Sequence, residues 1–143
     1  MDEAGGFRCI TISANSSNKV MLRFSSSNTV QVFVIANGVL VSNELHTLTN
    51  ITDFNKIAFK YKSGNNLLFV NGVKVDDNTD TFLFTSSLNK LNFDEDGGQN
   101  FYGNVKSVAV FKEALTNDEL EGLTGEGYDT FNALALANNY TII

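Results

Sequence analysis

Apolar and polar residues alternate with a period of two through most of the chain. Val20, Leu22 and Phe24 alternate with Met21, Arg23 and Ser25; after the polar turn Ser25 to Asn28, Val30, Val32 and Val34 alternate with Gln31, Phe33 and Ile35. That period places successive side chains on opposite faces of a strand. Asn37-Gly38 then leads into Val39-Leu40-Val41. An Asn-Gly pair between alternating runs predicts a tight hairpin, because both turn positions need positive φ. The signal recurs downstream, where Ile57 to Lys62, Leu67 to Val70 and Val73-Lys74-Val75 are separated by Ser63-Gly64-Asn65-Asn66 and by Asn71-Gly72. This reads as a three-strand meander. Further strands are expected over Asp80 to Phe84, Lys90 to Phe93 and Tyr102 to Phe111, with a bulge in Val105 to Val110 where strict alternation breaks. Short strands between closely spaced turn signals predict a sandwich or a barrel.

The last quarter changes character. Leu115-Thr116-Asn117-Asp118-Glu119-Leu120 contains a capping box, with Thr116 as N-cap and Glu119 at N3. Leu115 and Leu120 occupy the two positions of a hydrophobic staple, and Gly125 can close the helix. A second short helix is expected over Thr130 to Asn138, where Phe131, Leu134 and Ala135 share one face.

Composition narrows the class. The chain has 143 residues, 43% hydrophobic and 18% charged, which describes one globular domain over 1–143, with 1–6 as a flexible leader and 128–143 as a C-terminal extension. A net charge of −6 argues against nucleic acid and anionic membranes as partners, since both require basic patches. No apolar stretch reaches the ~18 residues of a membrane span, and no signal-peptide pattern opens the chain. The single cysteine, Cys9, excludes an internal disulfide and a cysteine-cluster metal site, and reads as a small buried hydrophobe. Sequons at Asn15, Asn50 and Asn139 are accounted for by chance in so asparagine-rich a chain. With no proline, edge strands must be protected by charge, bulges or neighbouring chains.

Three stretches, Asn55 to Tyr61, Leu68 to Val75 and Phe101 to Phe111, followed by Ala114-Leu115-Thr116-Asn117-Asp118-Glu119-Leu120, together resemble the laminin-G-like, concanavalin A-like lectin/glucanase superfamily. The subgroup most similar is found in phage tail fibres and other virion adhesins, and the resemblance covers about residues 18–124. It implies an all-β fold, a two-sheet antiparallel jelly-roll sandwich with the two short C-terminal helices added, and a binding role towards carbohydrate. Such domains begin with a further strand upstream of Val20. Either Phe7 to Ile12 supplies it, or the chain is cut from a longer protein.

The most acidic cluster, Asp94-Glu95-Asp96-Gly97-Gly98-Gln99-Asn100, is oxygen-rich and bent by glycine. Asp94 and Asp96 could coordinate Ca²⁺, a hard cation that takes six to eight oxygens; the alternative is an ordinary solvated turn. Asp76-Asp77-Asn78 with Asp80 is a weaker candidate of the same kind. Tyr102 follows the loop directly, so Asp94, Asp96, Gln99, Asn100 and Tyr102 form the expected ligand rim, an aromatic face for the sugar ring with amides and carboxylates for its hydroxyls. Tyr61 shares parity with Ile57 and Phe59 and is expected in the core. Catalysis is not expected. The Glu-x-Asp-x-Glu strand of glucanases is missing, and Glu113, Asp118, Glu119 and Glu121 are explained by the helix. His46, the one histidine, lacks a glycine-flanked nucleophile partner and reads as a surface or edge-strand residue.

The expectation is therefore a non-catalytic recognition domain of a phage virion protein, tail fibre or receptor-binding, assembled in the bacterial cytoplasm and directed at a host surface glycan. The alternative is a structural virion domain, a head fibre or capsid decoration, contacting only other virion proteins. Homotrimers are common in such fibres.

Overall fold

The computed structural model describes residues 6–25 and 27–126. Its strands are β1 (Arg8–Asn15), β2 (Asn18–Ser25), β3 (Thr29–Ala36), β4 (Val39–Thr47), β5 (Ile57–Lys62), β6 (Asn65–Val70), β7 (Val73–Asn78) and β8 (Lys90–Asn92), followed by α1 (Asn117–Thr124). They make two antiparallel sheets, ordered β4-β3-β2-β1-β8 and β5-β6-β7, which pack as a jelly-roll sandwich. The segment from Phe7 to Ile12 thus supplies the upstream strand, and it sits inside the larger sheet between β2 and β8.

The alternation fixes the register. Leu22 pairs with Ile10 and Val32, and Val20 with Ile12 and Val34, so the aliphatic phase of β2 and β3 falls on one face. That face contributes Val20, Phe24, Val30, Val32 and Val34 to the main core, where they meet Leu68 and Val70 of β6, with Leu48 and Ile51 from the β4–β5 connection. The opposite face of β6 carries Leu67 and Phe69, which pack under Leu120 of α1, with Leu115 alongside. β6 is therefore buried on both faces, which explains its unbroken apolar run Leu67-Leu68-Phe69-Val70.

α1 begins as its capping box requires: the Glu119 amide donates to Thr116 Oγ1 (3.3 Å) and the Thr116 amide to Glu119 Oε2 (2.7 Å). It docks through backbone. The Gly72 amide donates to Thr124 Oγ1 (3.1 Å), and a Cβ on Gly72 would stand 2.9 Å from Gly125 Cα, so this approach requires glycine. The expected second helix, Thr130 to Asn138, lies outside the described residues. No helix among the described residues is long and apolar enough to cross a membrane.

Two expected strands do not form. Along Asp80 to Phe84, side chains take the amides that a ladder would need: Asn78 Oδ1 accepts from Asp80 (3.0 Å) and Ser63 Oγ from Phe82 (2.8 Å). Phe82 and Phe84 still pack against the core. Tyr102 to Phe111 forms no ladder with the described residues, and Val105, Val108, Val110 and Phe111 stay 38–51% exposed. Alternation makes a segment fit for a sheet, but a strand exists only beside a neighbouring backbone. The bulge expected there is absent with it; register shifts occur instead within β1, between β3 and β4, and between β6 and β7.

The two sheets also meet at an edge, where β4 approaches β7 through polar groups. Asn78 Nδ2 donates to Ser42 Oγ (3.0 Å) and to Glu44 Oε1, and Ser42 Oγ donates to the same Glu44 oxygen (2.6 Å). Asn66 Nδ2 ties Asn78 Oδ1 (2.8 Å) and the Asp80 carbonyl (3.1 Å) into this chain. Glu44 is 1% exposed, and it pairs with no cation among the described residues. Burial pushes its pKa up and the nearby Asp76 and Asp80 add to the rise, against the pull of the Ser42 and Asn78 hydrogen bonds.

A folded-state pKa above the unfolded value means that the native state holds this proton more tightly. Glu44's contribution to stability is therefore complete below the ordinary glutamate pKa and is lost as pH rises through the raised value. Urea unfolding of wild type and Glu44→Gln between pH 4.5 and 8 checks this. The wild type is expected to lose stability relative to the variant as pH rises; parallel profiles would refute the assignment.

Candidate ligand-binding face

The second face of the five-stranded sheet carries the opposite phase of the same strands. Cys9, Met21 and Phe33 form a small buried cluster there. Across it, Cys9 pairs with Arg23 and Arg23 with Gln31, which places a guanidinium and an amide side by side.

Residues 93–101 fold back over one end of this face as a tight hairpin. Glu95 and Gly98 exchange both backbone hydrogen bonds (2.7 and 2.8 Å) around Asp96-Gly97, whose φ values are 49° and 84°. Two consecutive positive φ values define the mirror-image turn that closes two-residue hairpins, so Asp-Gly is present for geometric reasons. Three contacts seat the hairpin on β1: Thr11 Oγ1 donates to the Asp94 carbonyl (2.6 Å), the Cys9 amide to the Gln99 carbonyl (3.0 Å), and Cys9 Sγ to Gln99 Oε1 (3.3 Å).

A buried lysine holds its tip. Lys19 Nζ lies 3.1 Å from Glu95 Oε1 and 2.9 Å from Asp96 Oδ2, with only 5% of its side chain exposed. Burial alone would lower the lysine pKa, but hydrogen bonds to Asp96 and Glu95 outweigh it and hold the pKa above the usual value. The expected acidic rim is thus tied to the sheet, although Asp96 and Gln99 stay exposed. Asp96 bonds to Lys19, Gln99 to Cys9, and Asp94 Oδ1 is buried without a hydrogen-bond partner. Among the described residues no three His, Cys, Asp or Glu side chains converge as a metal-holding group. Asp76 and Asp80, of the weaker candidate, lie beside Glu44.

Two of the five rim residues do come together at the surface. Asn100 Nδ2 donates to Tyr102 Oη (3.2 Å), and Tyr102 is 63% exposed. The sequence reading missed their neighbours. The Arg8 guanidinium lies 5.2 Å from the Tyr102 ring centroid. Arg23 lies 4.2 Å from the ring of Phe7 and 4.5 Å from that of Phe33. Arg23 Nη2 donates to Gln31 Oε1, and Gln31 Nε2 to Asn43 Oδ1 (2.8 Å), so a polar row crosses β2, β3 and β4. The face therefore offers the ring of Phe7, the Arg23 guanidinium and the amides of Gln31 and Asn43, while Arg8, paired with Phe24 in the core phase, stands with Tyr102 and Asn100 at the sheet's end. Its phase was readable, since Arg23, Gln31 and Phe33 all stand opposite the core valines. Tyr61 packs against the core as its parity suggests, and His46 is half-buried on the edge strand β4.

Cys9 sits beneath the hairpin. Burial, reinforced by Glu95, pushes its thiol pKa up to about 11, so at pH 8 only roughly 1 in 1,000 molecules carries the reactive thiolate. Lys19→Met should loosen the hairpin. A loss of about 1–3 kcal/mol in urea unfolding is expected, less than for a fully enclosed pair because Asp96 is 55% exposed. Native Cys9 should then react with a disulfide reagent faster than in wild type. An unchanged labelling rate would show that Lys19 does not hold the hairpin down.

Among curated proteins none matches the sequence. A solved S-layer domain-containing protein from Clostridium thermocellum ATCC 27405 (residues 221–444) is similar at 15% identity and a TM-score of 0.40, over 87% of this chain and 65% of that one. The family profile of the concanavalin A-like lectin/glucanases superfamily matches residues 1–121. With most of its length matched, and with the two-sheet sandwich in place, the chain belongs to the concanavalin A-like lectin/glucanase superfamily, as a domain of the laminin G type.

Proposed function

We propose that this domain recognises carbohydrate without catalysis, through the surface formed by Arg8, Asn100 and Tyr102, and that it acts as the host-surface recognition domain of a phage virion protein. The exposed Tyr102 ring, with Asn100 on its hydroxyl and Arg8 beside it, carries the reading. Sugars present apolar C–H faces ringed by hydroxyls, and an aromatic face flanked by amides matches both. Charge placement supports the non-catalytic part: Glu95 and Asp96, the two carboxylates at the hairpin tip, are both bound to Lys19. A glycosidase needs two carboxylates free to flank the scissile bond. The virion assignment rests on the resemblance of Leu68 to Val75 and Phe101 to Leu120 to virion adhesins.

A structural virion role is the second reading, favoured by the exposed apolar side chains of Val105, Val108, Val110 and Phe111. A glycan array, read with calcium and with a chelator, separates the two. Binding that falls about tenfold or more in Tyr102→Ala supports recognition, consistent with the roughly 1 kcal/mol of an aromatic contact plus its buried area. Stable homotrimers in sedimentation without glycan binding would overturn it in favour of the structural role.

A further inference from the structure

We propose that Asn71-Gly72 is a deamidation site that helix α1 holds shut, and that its conversion to isoaspartate releases α1 from the β6–β7 turn irreversibly. Asn37-Gly38 and Asn71-Gly72 are the two Asn-Gly pairs in the chain. Glycine has no side chain to shield its amide, so its nitrogen attacks a preceding carboxamide more readily than that of any other residue. Hydroxide removes the Gly72 amide proton, the nitrogen bonds to Asn71 Cγ, and the Cγ–Nδ2 bond breaks to release ammonia. Water then opens the five-membered imide at either carbonyl. The products are aspartate, and isoaspartate with one methylene added to the main chain.

In the folded domain the groups of the first step are all held. The turn keeps Asn71 and Gly72 at φ 50° and 82°, and the Gly72 amide donates to Thr124 Oγ1 (3.1 Å). Asn71 Oδ1 accepts from the Lys56 amide (2.8 Å), and Asn71 Nδ2 donates to Asn55 Oδ1 (3.0 Å). Thr124 is buried, and its hydroxyl donates in turn to the Leu120 carbonyl (2.8 Å). The restraint on the nucleophile therefore belongs to α1, an eight-residue helix that packs on β6 through Leu120, with Leu115 alongside. A short helix held by few apolar contacts opens locally well before the domain unfolds, and that opening frees the Gly72 amide. Asn71 is exposed, so hydroxide and water reach it. Asn37-Gly38 is guarded by other elements: the Gly38 amide donates to the Ser17 carbonyl (2.8 Å), and the Asn37 side chain bonds to Leu83 and Thr85. It serves as an internal reference.

The product accounts for the irreversibility. Gly72 packs so closely on the end of α1 that a Cβ there would stand 2.9 Å from Gly125 Cα. An extra main-chain methylene at residue 71 displaces the turn within that same space, and α1 cannot return over Leu67 and Phe69.

Peptide mapping by mass spectrometry during incubation at pH 8.5 and 37 °C tests this, with the free peptide of residues 67–76 as reference. Asn71 in the folded domain should convert at least about tenfold more slowly than in the peptide. Leu120→Ala, which loosens α1, should speed Asn71 by about tenfold or more and leave Asn37 unchanged. Thr124→Val, which removes the acceptor of the Gly72 amide, should act in the same direction and stands alone if the Leu120 variant does not fold. The isoaspartyl fraction, separated by ion exchange, should be cut by protease within residues 115–126 where unconverted protein resists. Equal rates in domain and peptide, or no acceleration in the variants, would overturn the gating by α1. Acceleration shared equally by Asn37 would also overturn it, by showing that global opening sets the rate. An isoaspartyl fraction as resistant as the parent would overturn the release of α1.

Discussion

Everything in this domain is stacked upon β6, the strand that is buried on both faces. Its inward side chains, Leu68 and Val70, meet the aliphatic face of the larger sheet, and its outward ones, Leu67 and Phe69, need α1 above them. A strand with apolar groups on both sides cannot lie at a surface, so it imposes a three-layer order of sheet, sheet and helix. The glycine contact between Gly72 and Gly125 follows from that order, because the helix must end hard against the β6–β7 turn. So does the polar seam. Where β6 begins, Asn66 faces inward in place of an aliphatic residue, and Asn78, Ser42 and Glu44 continue its hydrogen bonds to the edge of β4.

Among the described residues no helix covers the second face of the larger sheet, and there the domain relies on charge. Lys19 is enclosed, and an enclosed ammonium without partners would be strongly unfavourable. Glu95 and Asp96 meet it, and they can do so only if the Asp96-Gly97 turn brings the hairpin down over β1. One ion-pair cluster thus determines which part of the face is closed, over Cys9 and Thr11, and which part stays open, around Phe7, Arg23 and Tyr102. It also ties Glu95 and Asp96 to the sheet, with Asp96 still 55% exposed.

Local rules accounted for most of the fold. The period of two in Val20 to Ile35, the Asn37-Gly38 and Asn71-Gly72 turns, whose residues all have positive φ, and the Thr116–Glu119 capping box each involve residues close in sequence. The failures were of a different kind. Tyr102 to Phe111 has the composition of a strand, but whether it pairs depends on a neighbour that no local pattern names. The turn chemistry of the acidic loop was legible in its Asp96-Gly97 pair. The destination of its carboxylates was not, because Lys19 is 76 residues away from Glu95 and its phase on β2 becomes meaningful only once β1 lies alongside.

The same reasoning explains why the candidate face eluded a search for motifs. Phe7, Arg8, Arg23, Gln31, Asn100 and Tyr102 come from three strands or strand ends and a hairpin, and no two of the main contributors form a recognisable spacing. Arg23 and Gln31 share the strand phase opposite to the core valines, a phase normally dismissed as solvent-facing, whereas Arg8 pairs with Phe24 and stands beside Tyr102 at the sheet's end. The half beneath the pinned hairpin, with its proton-bearing thiol, is the part of that face whose shape is fixed by buried contacts.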